Sequence, residues 1–165
     1  MIIFLETLCT TSEFLRNKMI LNYNLVCHSF KVSSDIFQYA LPITTGLKDI
    51  HPKTKTSFKN LAWIITLIAI QRYGTKILKK LTQKKGPNGI DFESFPSGHI
   101  MIAAQCLTRS LKRDGIHSPI FFLNAVGFIS IGLGRYLPGM HDVVDLTVGS
   151  LLGVGVGTVW NNKVK

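Results

Sequence analysis

The chain has 165 residues, of which 46% are hydrophobic and only 17% charged, with a mean hydropathy of +0.26. A soluble domain carries about a quarter of its residues charged, so this apolar excess, gathered in blocks, points to membrane spans in a single domain. The net charge of +10 fits anionic headgroups or a phosphate-bearing substrate; no nucleic acid is expected as partner, because the basic residues flank apolar segments instead of forming a polar domain of their own.

Residues 1–35 place Phe4, Leu8, Leu15 and Met19 at roughly helical spacing, but Thr10, Thr11, Ser12, Glu13, Arg16 and Lys18 interrupt the apolar run. They read as an amphipathic helix at a membrane surface or as a degraded span. No positive n-region opens the chain, so no secretory signal peptide is expected. Ile36 to Leu47 is apolar but short of the roughly 20 residues a crossing needs. A basic linker follows with Lys48, Lys53, Lys55 and Lys59, and Leu61 opens a hydrophobic helix that runs on to Leu78. Lys79, Lys80, Lys84 and Lys85 then lead into the turn Gly86-Pro87-Asn88-Gly89. The division is residues 1–60 as an N-terminal region of short segments and linker, 61–160 as the core and 161–165 as a tail.

Phe95-Pro96-Ser97-Gly98-His99 marks the next boundary. Pro96 fixes its own φ and Gly98 can take φ > 0, so a sharp turn is expected. Ser97 is a good N-cap, with its hydroxyl and the following N–H groups facing outward. Ile100 to Leu111 is the helix it would cap, and a helix start bearing a hydroxyl and an imidazole suits an anion. The plainer alternative is a capped turn with His99 exposed. Pro119 to Leu133 gives another apolar helix, and a short break from Arg135 to His141 contains Pro138 and Gly139. Val143 to Trp160 is the fourth apolar segment, and its Gly149, Gly153, Gly155 and Gly157 would let membrane helices approach closely. The three cysteines, Cys9, Cys27 and Cys106, have no disulfide or metal spacing and read as buried thiols.

Alternation puts the breaks before Ser97 and after Arg135 on one side of the membrane. The linker at 48–59, the Lys112-Arg113 loop and the tail fall on the other, cytoplasmic by the positive-inside rule. Lys79 with its neighbours, Ser97-Gly98-His99, and Arg135 with His141 and Asp145 therefore converge on one outer face. His141 and Asp145 are four apart, so on a helix starting near His141 they would share a face. The competing reading is a structural Arg135–Asp145 ion pair with His141 a polar loop residue.

Together these motifs resemble the type 2 phosphatidic acid phosphatase superfamily, which includes bacterial acid phosphatases and vanadium haloperoxidases. Its signature is Lys-x6-Arg-Pro, Pro-Ser-Gly-His and Ser-Arg-x5-His-x3-Asp. The second motif is complete at Pro96-Ser97-Gly98-His99. The third stands as Gly134-Arg135, five residues, His141, three residues, Asp145, and the first as Lys79, six residues, Gly86-Pro87. The resemblance covers about residues 61–160. It implies an all-α, multi-span transmembrane helical bundle, with four clear spans here and up to six. It also implies a metal-independent, cofactor-free phosphatase acting on a lipid phosphate or diphosphate, with membrane lipids around it. In that mechanism His141 attacks phosphorus, Asp145 orients its ring and His99 acts as acid and base, while Lys79, Ser97, Gly98 and Arg135 bind the phosphoryl oxygens. The expected location is a bacterial inner membrane with the site on the periplasmic face. Gly134 replaces the family serine, a change of small expected effect. Gly86 replaces the phosphate-binding arginine, which lysines at 84 and 85 cannot reproduce as a bidentate clamp. An inactive relative that binds lipid phosphate or a membrane partner is therefore the alternative.

Overall fold

The computed structural model describes residues 2–47, 56–89 and 93–163, with side chains at 18–47, 62, 65–89 and 93–159. The linker residues 48–55 and the last two tail residues fall outside them, as do the side chains of Phe4, Leu8 and Leu15. The described chain is all-α, with five helices: α1 (Ile2–Leu47), α2 (Thr56–Thr82), α3 (Gly98–Asp114), α4 (Pro119–Tyr136) and α5 (Val143–Lys163).

The two N-terminal segments expected from the sequence are one helix. No glycine or proline precedes Pro42, so nothing stops α1 from running straight through the polar patch at Thr10–Glu13. At a rise of 1.5 Å per residue it is roughly 69 Å long, over twice a hydrocarbon core. α2 takes in Lys59, assigned to the linker from sequence, and carries Lys79 and Lys80 in its last turn. α4 begins as its sequence demands, with Pro119 in the first turn and the Ser118 hydroxyl accepting the Phe121 N–H at 3.1 Å. It also extends to Tyr136, so Arg135 ends a helix instead of opening a break.

Two helix pairs make the body. α1 and α4 run antiparallel: the Tyr23 hydroxyl donates to the Leu137 carbonyl at 3.0 Å near the end of α4, while Thr45 and Asn124 meet near its start. α3 and α5 run parallel and very close. A Cβ on Gly149 would stand 2.6 Å from the Ser97 carbonyl oxygen, one on Gly157 2.7 Å from that of Gln105, and Gly153 meets the Met101 carbonyl in the same way. Gly155, off that register, faces open space. The four-residue spacing of small residues thus becomes a seam between backbones. α2 lies at the edge, touching mainly α3 and α5.

The interior mixes apolar and polar groups. Leu41, Ile100, Cys106 and Ile131 are buried beside Thr45 and Asn124, whose side chains exchange hydrogen bonds at 3.2 and 3.1 Å. Asn124 Nδ2 also donates to the Cys106 carbonyl at 3.3 Å, tying α1, α3 and α4 together. Meanwhile Leu21, Ile36, Ile65, Phe122, Ile129 and Leu151 face outward. Among the described residues one helix, Pro119–Tyr136, is long and apolar enough to cross a membrane, and Val143–Val159 is a shorter apolar stretch. Four such spans were expected; α3, at 17 residues, is too short to qualify, and only part of the expected span opening at Leu61 lies among the described side chains.

Candidate active site

The segments 83–89, 93–97 and 137–142 close the same end of the bundle, and the Asn88 N–H donates to the Gly139 carbonyl at 2.8 Å. The Ser97 N–H donates to the Asp145 carbonyl at 3.2 Å, which locks the start of α3 to the first turn of α5. All seven residues singled out from sequence sit at this end.

His141 precedes α5 instead of lying on it, and its backbone N–H is held by the Arg135 carbonyl at 3.1 Å. Its Nδ1 nevertheless faces Asp145 Oδ2 at 3.5 Å, longer than a formed hydrogen bond. Burial and the Lys79 ammonium push the His141 pKa below the ordinary histidine value, while Asp145 pulls it up and fails to restore it. Asp145 is fully buried, and its second oxygen accepts from Lys84 Nζ at 2.7 Å. Lys84 also donates to Asp142 Oδ2 at 2.6 Å. Burial works against that ammonium, but the bonds to Asp142 and Asp145 outweigh it and raise its pKa. The same bond holds the Asp142 carboxyl below the usual carboxylate range. Lys84 is thus the counter-ion of the carboxylate pair beside His141, not a free substitute for the arginine missing at Gly86.

Arg135 does not pair with Asp145. Its Nε donates to Ser34 Oγ at 2.9 Å, its Nη1 contacts Met140 Sδ at 3.4 Å and its Nη2 pairs with Asp35. The same Asp35 oxygen lies 3.7 Å from His99 Nε2. Asp35 and Ser34 of α1 were not foreseen; the signal was there in the scarcity of acidic residues, nine against nineteen basic. Gly134 makes that contact feasible, because a Cβ there would come within 2.7 Å of the Ser34 Cβ and run into the Phe30 carbonyl. The family serine would not fit, so this replacement belongs to the α1–α4 contact.

Ser97 precedes α3 as expected, but its hydroxyl makes no capping bond; it is buried, and Oγ has no partner. Gly98 packs against Thr75, with 3.3 Å from a Cβ position to its methyl. Lys79 Nζ donates to the Glu93 carbonyl at 2.6 Å and lines a cleft with His99. Burial, and then the charges of Arg135, Arg72, His141 and Lys79, push the His99 pKa down to about 3, so its protonated form would depend on the negative charge of a bound phosphate. Among the described residues no group of three or more His, Cys, Asp or Glu side chains could hold a metal ion.

The model of the PAP2 superfamily matches residues 35–165. The chain belongs to the PAP2 superfamily. The match begins at Asp35 and takes in all seven residues singled out from the sequence, while Ser34 lies just before it. Membership implies phosphatase-type activity, and PAP2 proteins are often membrane-bound. No solved structure matches this PAP2 chain.

Proposed function

We propose that this PAP2 protein is an integral membrane phosphatase that hydrolyses a lipid phosphate or diphosphate monoester without a metal, through a phosphohistidine. The observation that carries the reading is the His141–Asp145 pair within a ring of cations. His141 Nδ1 faces a buried carboxylate, which leaves Nε2 as the nucleophile. Its lowered pKa favours the neutral form that attack requires.

In the first step Nε2 bonds to phosphorus, the bond from phosphorus to the leaving oxygen breaks, and His99 gives that oxygen a proton. In the second, His99 takes a proton from water, the hydroxide attacks phosphorus, and inorganic phosphate leaves with His141 restored. Lys79, Arg135, the partnerless Ser97 hydroxyl and the Gly98 N–H bind the phosphoryl oxygens and stabilise the transition-state charge.

A lipid substrate is supported by a groove of about 510 Å³ between α4 and α5, whose lining includes Phe128, Ile129, Leu133, Tyr136, Leu146 and Leu151. It reaches Tyr136 and Val143, next to the site, so a headgroup at the helix ends leaves its tail along the apolar groove. The outward-facing apolar side chains on α1, α2, α4 and α5 support a membrane setting. Lys112 and Arg113 at the opposite end favour that end as the cytoplasmic one.

The test is phosphate release from lipid phosphates by the full chain in detergent, with chelator present. Wild type is expected to turn over, and His141→Ala to abolish turnover; unchanged release by that variant removes the mechanism. A second reading, a lipid-phosphate binder without turnover, is favoured by one observation: all three Arg135 nitrogens are engaged within the chain. Binding with no release, persisting in Gly86→Arg, would select it.

A further inference from the structure

A cleft of about 280 Å³ opens between α2 and the start of α3, lined by Gln71, Arg72, Thr75, Lys76, Lys79 and His99. Arg72, Lys76 and Lys79 follow helical i, i+4, i+7 spacing, so three cations share one face of α2. His99 stands opposite, near enough to Arg72 for the guanidinium charge to act on its ring. Deeper in, Gln71 is only 2% exposed, and neither its Nε2 nor its Oε1 has a hydrogen-bond partner. A buried amide with both ends unsatisfied is costly, and its place in the lining of a cationic cleft gives that cost a purpose.

Arg72 is steadied without exhausting its donors. Its guanidinium lies 5.7 Å from the centre of the Tyr39 ring, and Nη2 reaches Gln38 Oε1 only at 3.5 Å, the limit of a hydrogen bond. The remaining N–H groups keep the fork that suits a phosphate. Arg135, by contrast, is wrapped by Ser34, Met140 and Asp35.

We propose that this α2–α3 cleft forms the α2 side of the phosphate-binding site, sharing Lys79, Gly98 and His99 with it, and that Arg72 is its guanidinium clamp, the function that Gly86 cannot perform. The phosphoryl group lies between Arg72 and Lys79 on one wall and His99 on the other, with the Gln71 amide donating to one oxygen. The ligand chemistry is a phosphate monoester or dianion, whether it comes as a lipid headgroup or as free phosphate. This deepens the phosphatase reading and rests on it only for turnover.

The experiment measures two quantities on the full chain in detergent: the Kd for inorganic phosphate by calorimetry, and phosphate release from phosphatidic acid in mixed micelles. Arg72→Gln is expected to weaken phosphate binding at least 10-fold and to lower kcat/KM by about 10²–10³-fold, with Arg72→Lys recovering only part. Gln71→Leu is expected to weaken binding while keeping or raising Tm; a purely structural glutamine would leave Kd alone. If free phosphate does not bind but the KM for micellar phosphatidic acid rises at least about 10-fold in Arg72→Gln, the site stands and is assigned to the headgroup. Arg72-dependent binding with no turnover keeps this site and removes the phosphatase reading. Turnover and binding that survive Arg72→Gln unchanged overturn this site and leave the phosphatase reading standing. If the wild-type chain binds neither probe, this site is overturned, while the phosphatase reading stands or falls on phosphate release and its loss in His141→Ala.

Discussion

The α3–α5 pair and α2 meet at the same site and are built in opposite ways. α3 and α5 are joined by glycines against carbonyls, and the groups this seam carries, Ser97, His141 and Asp145, are all buried. α2 sits at the edge with Tyr73, Ile77 and Leu81 exposed, and it brings Arg72, Lys76 and Lys79 to an open cleft. The difference separates two duties. Aligning a nucleophile with its carboxylate needs tight backbone packing, because a small displacement costs much of the rate. Collecting a multiply charged anion tolerates long, mobile cationic side chains.

Breaking the packed side should cost most. Asp145→Asn removes the group that orients His141 and leaves Lys84 bonded to Asp142 alone, so kcat should fall about 10³–10⁴-fold, as for other carboxylates that hold a catalytic imidazole. The pH profile separates the two sides by sign. With its pKa lowered, His141 stays neutral below about 6.5, so the acid limb of kcat/KM lies below that pH. Lys79→Met removes a charge that lowers this pKa and moves the limb up; Asp145→Asn removes one that raises it and moves the limb down. Shifts in the same direction would contradict this electrostatic arrangement.

The seam itself gives the next effect. Gly153→Leu drives a side chain into the Met101 carbonyl and should cost about 1–3 kcal/mol or more in thermal unfolding. Gly155→Ala, in open space on the same helix, should be neutral or stabilise by roughly 0.5–1 kcal/mol. Equal losses at the two positions would mean that no seam exists. The smallest change is Asp35→Asn. The Asp35 side chain is 47% exposed and pairs with Arg135, so releasing that guanidinium should lower KM roughly two- to five-fold, the scale of a partly exposed ion pair. A raised KM would instead make Asp35 a positioning residue for Arg135.

What could be read from the sequence was local. The order and spacing of the motifs named seven residues that the fold brings to one end, and glycines every four residues announced a close helix contact, because spacing survives without knowledge of register. The Asp35–Arg135 contact was not legible, since it depends on the antiparallel register of helices a hundred residues apart. Nor was the partner of Lys84, which depends on how the chain after α2 is placed, with the Ser94 N–H on the Lys84 carbonyl at 3.0 Å. The Ser97 hydroxyl misled for a different reason: good capping chemistry was overridden by the approach of Gly149 to its backbone.

The parallel course of α3 and α5 has an electrical consequence. Both helices begin at the site end, so two helix N-termini, each equivalent to about half a positive charge, point the same way, the one on α5 capped by Asp142, whose Oδ1 accepts the Asp145 N–H at 2.9 Å. The helices that finish there, α2 and α4, would contribute the opposite polarity, and their last turns carry Lys79, Lys80 and Arg135. The ends of α2, α3 and α4 thus present positive charge around the site, while the α5 end carries Asp145 and Asp142 with Lys84 between them, and the bundle draws anions to this end through backbone and side chains together.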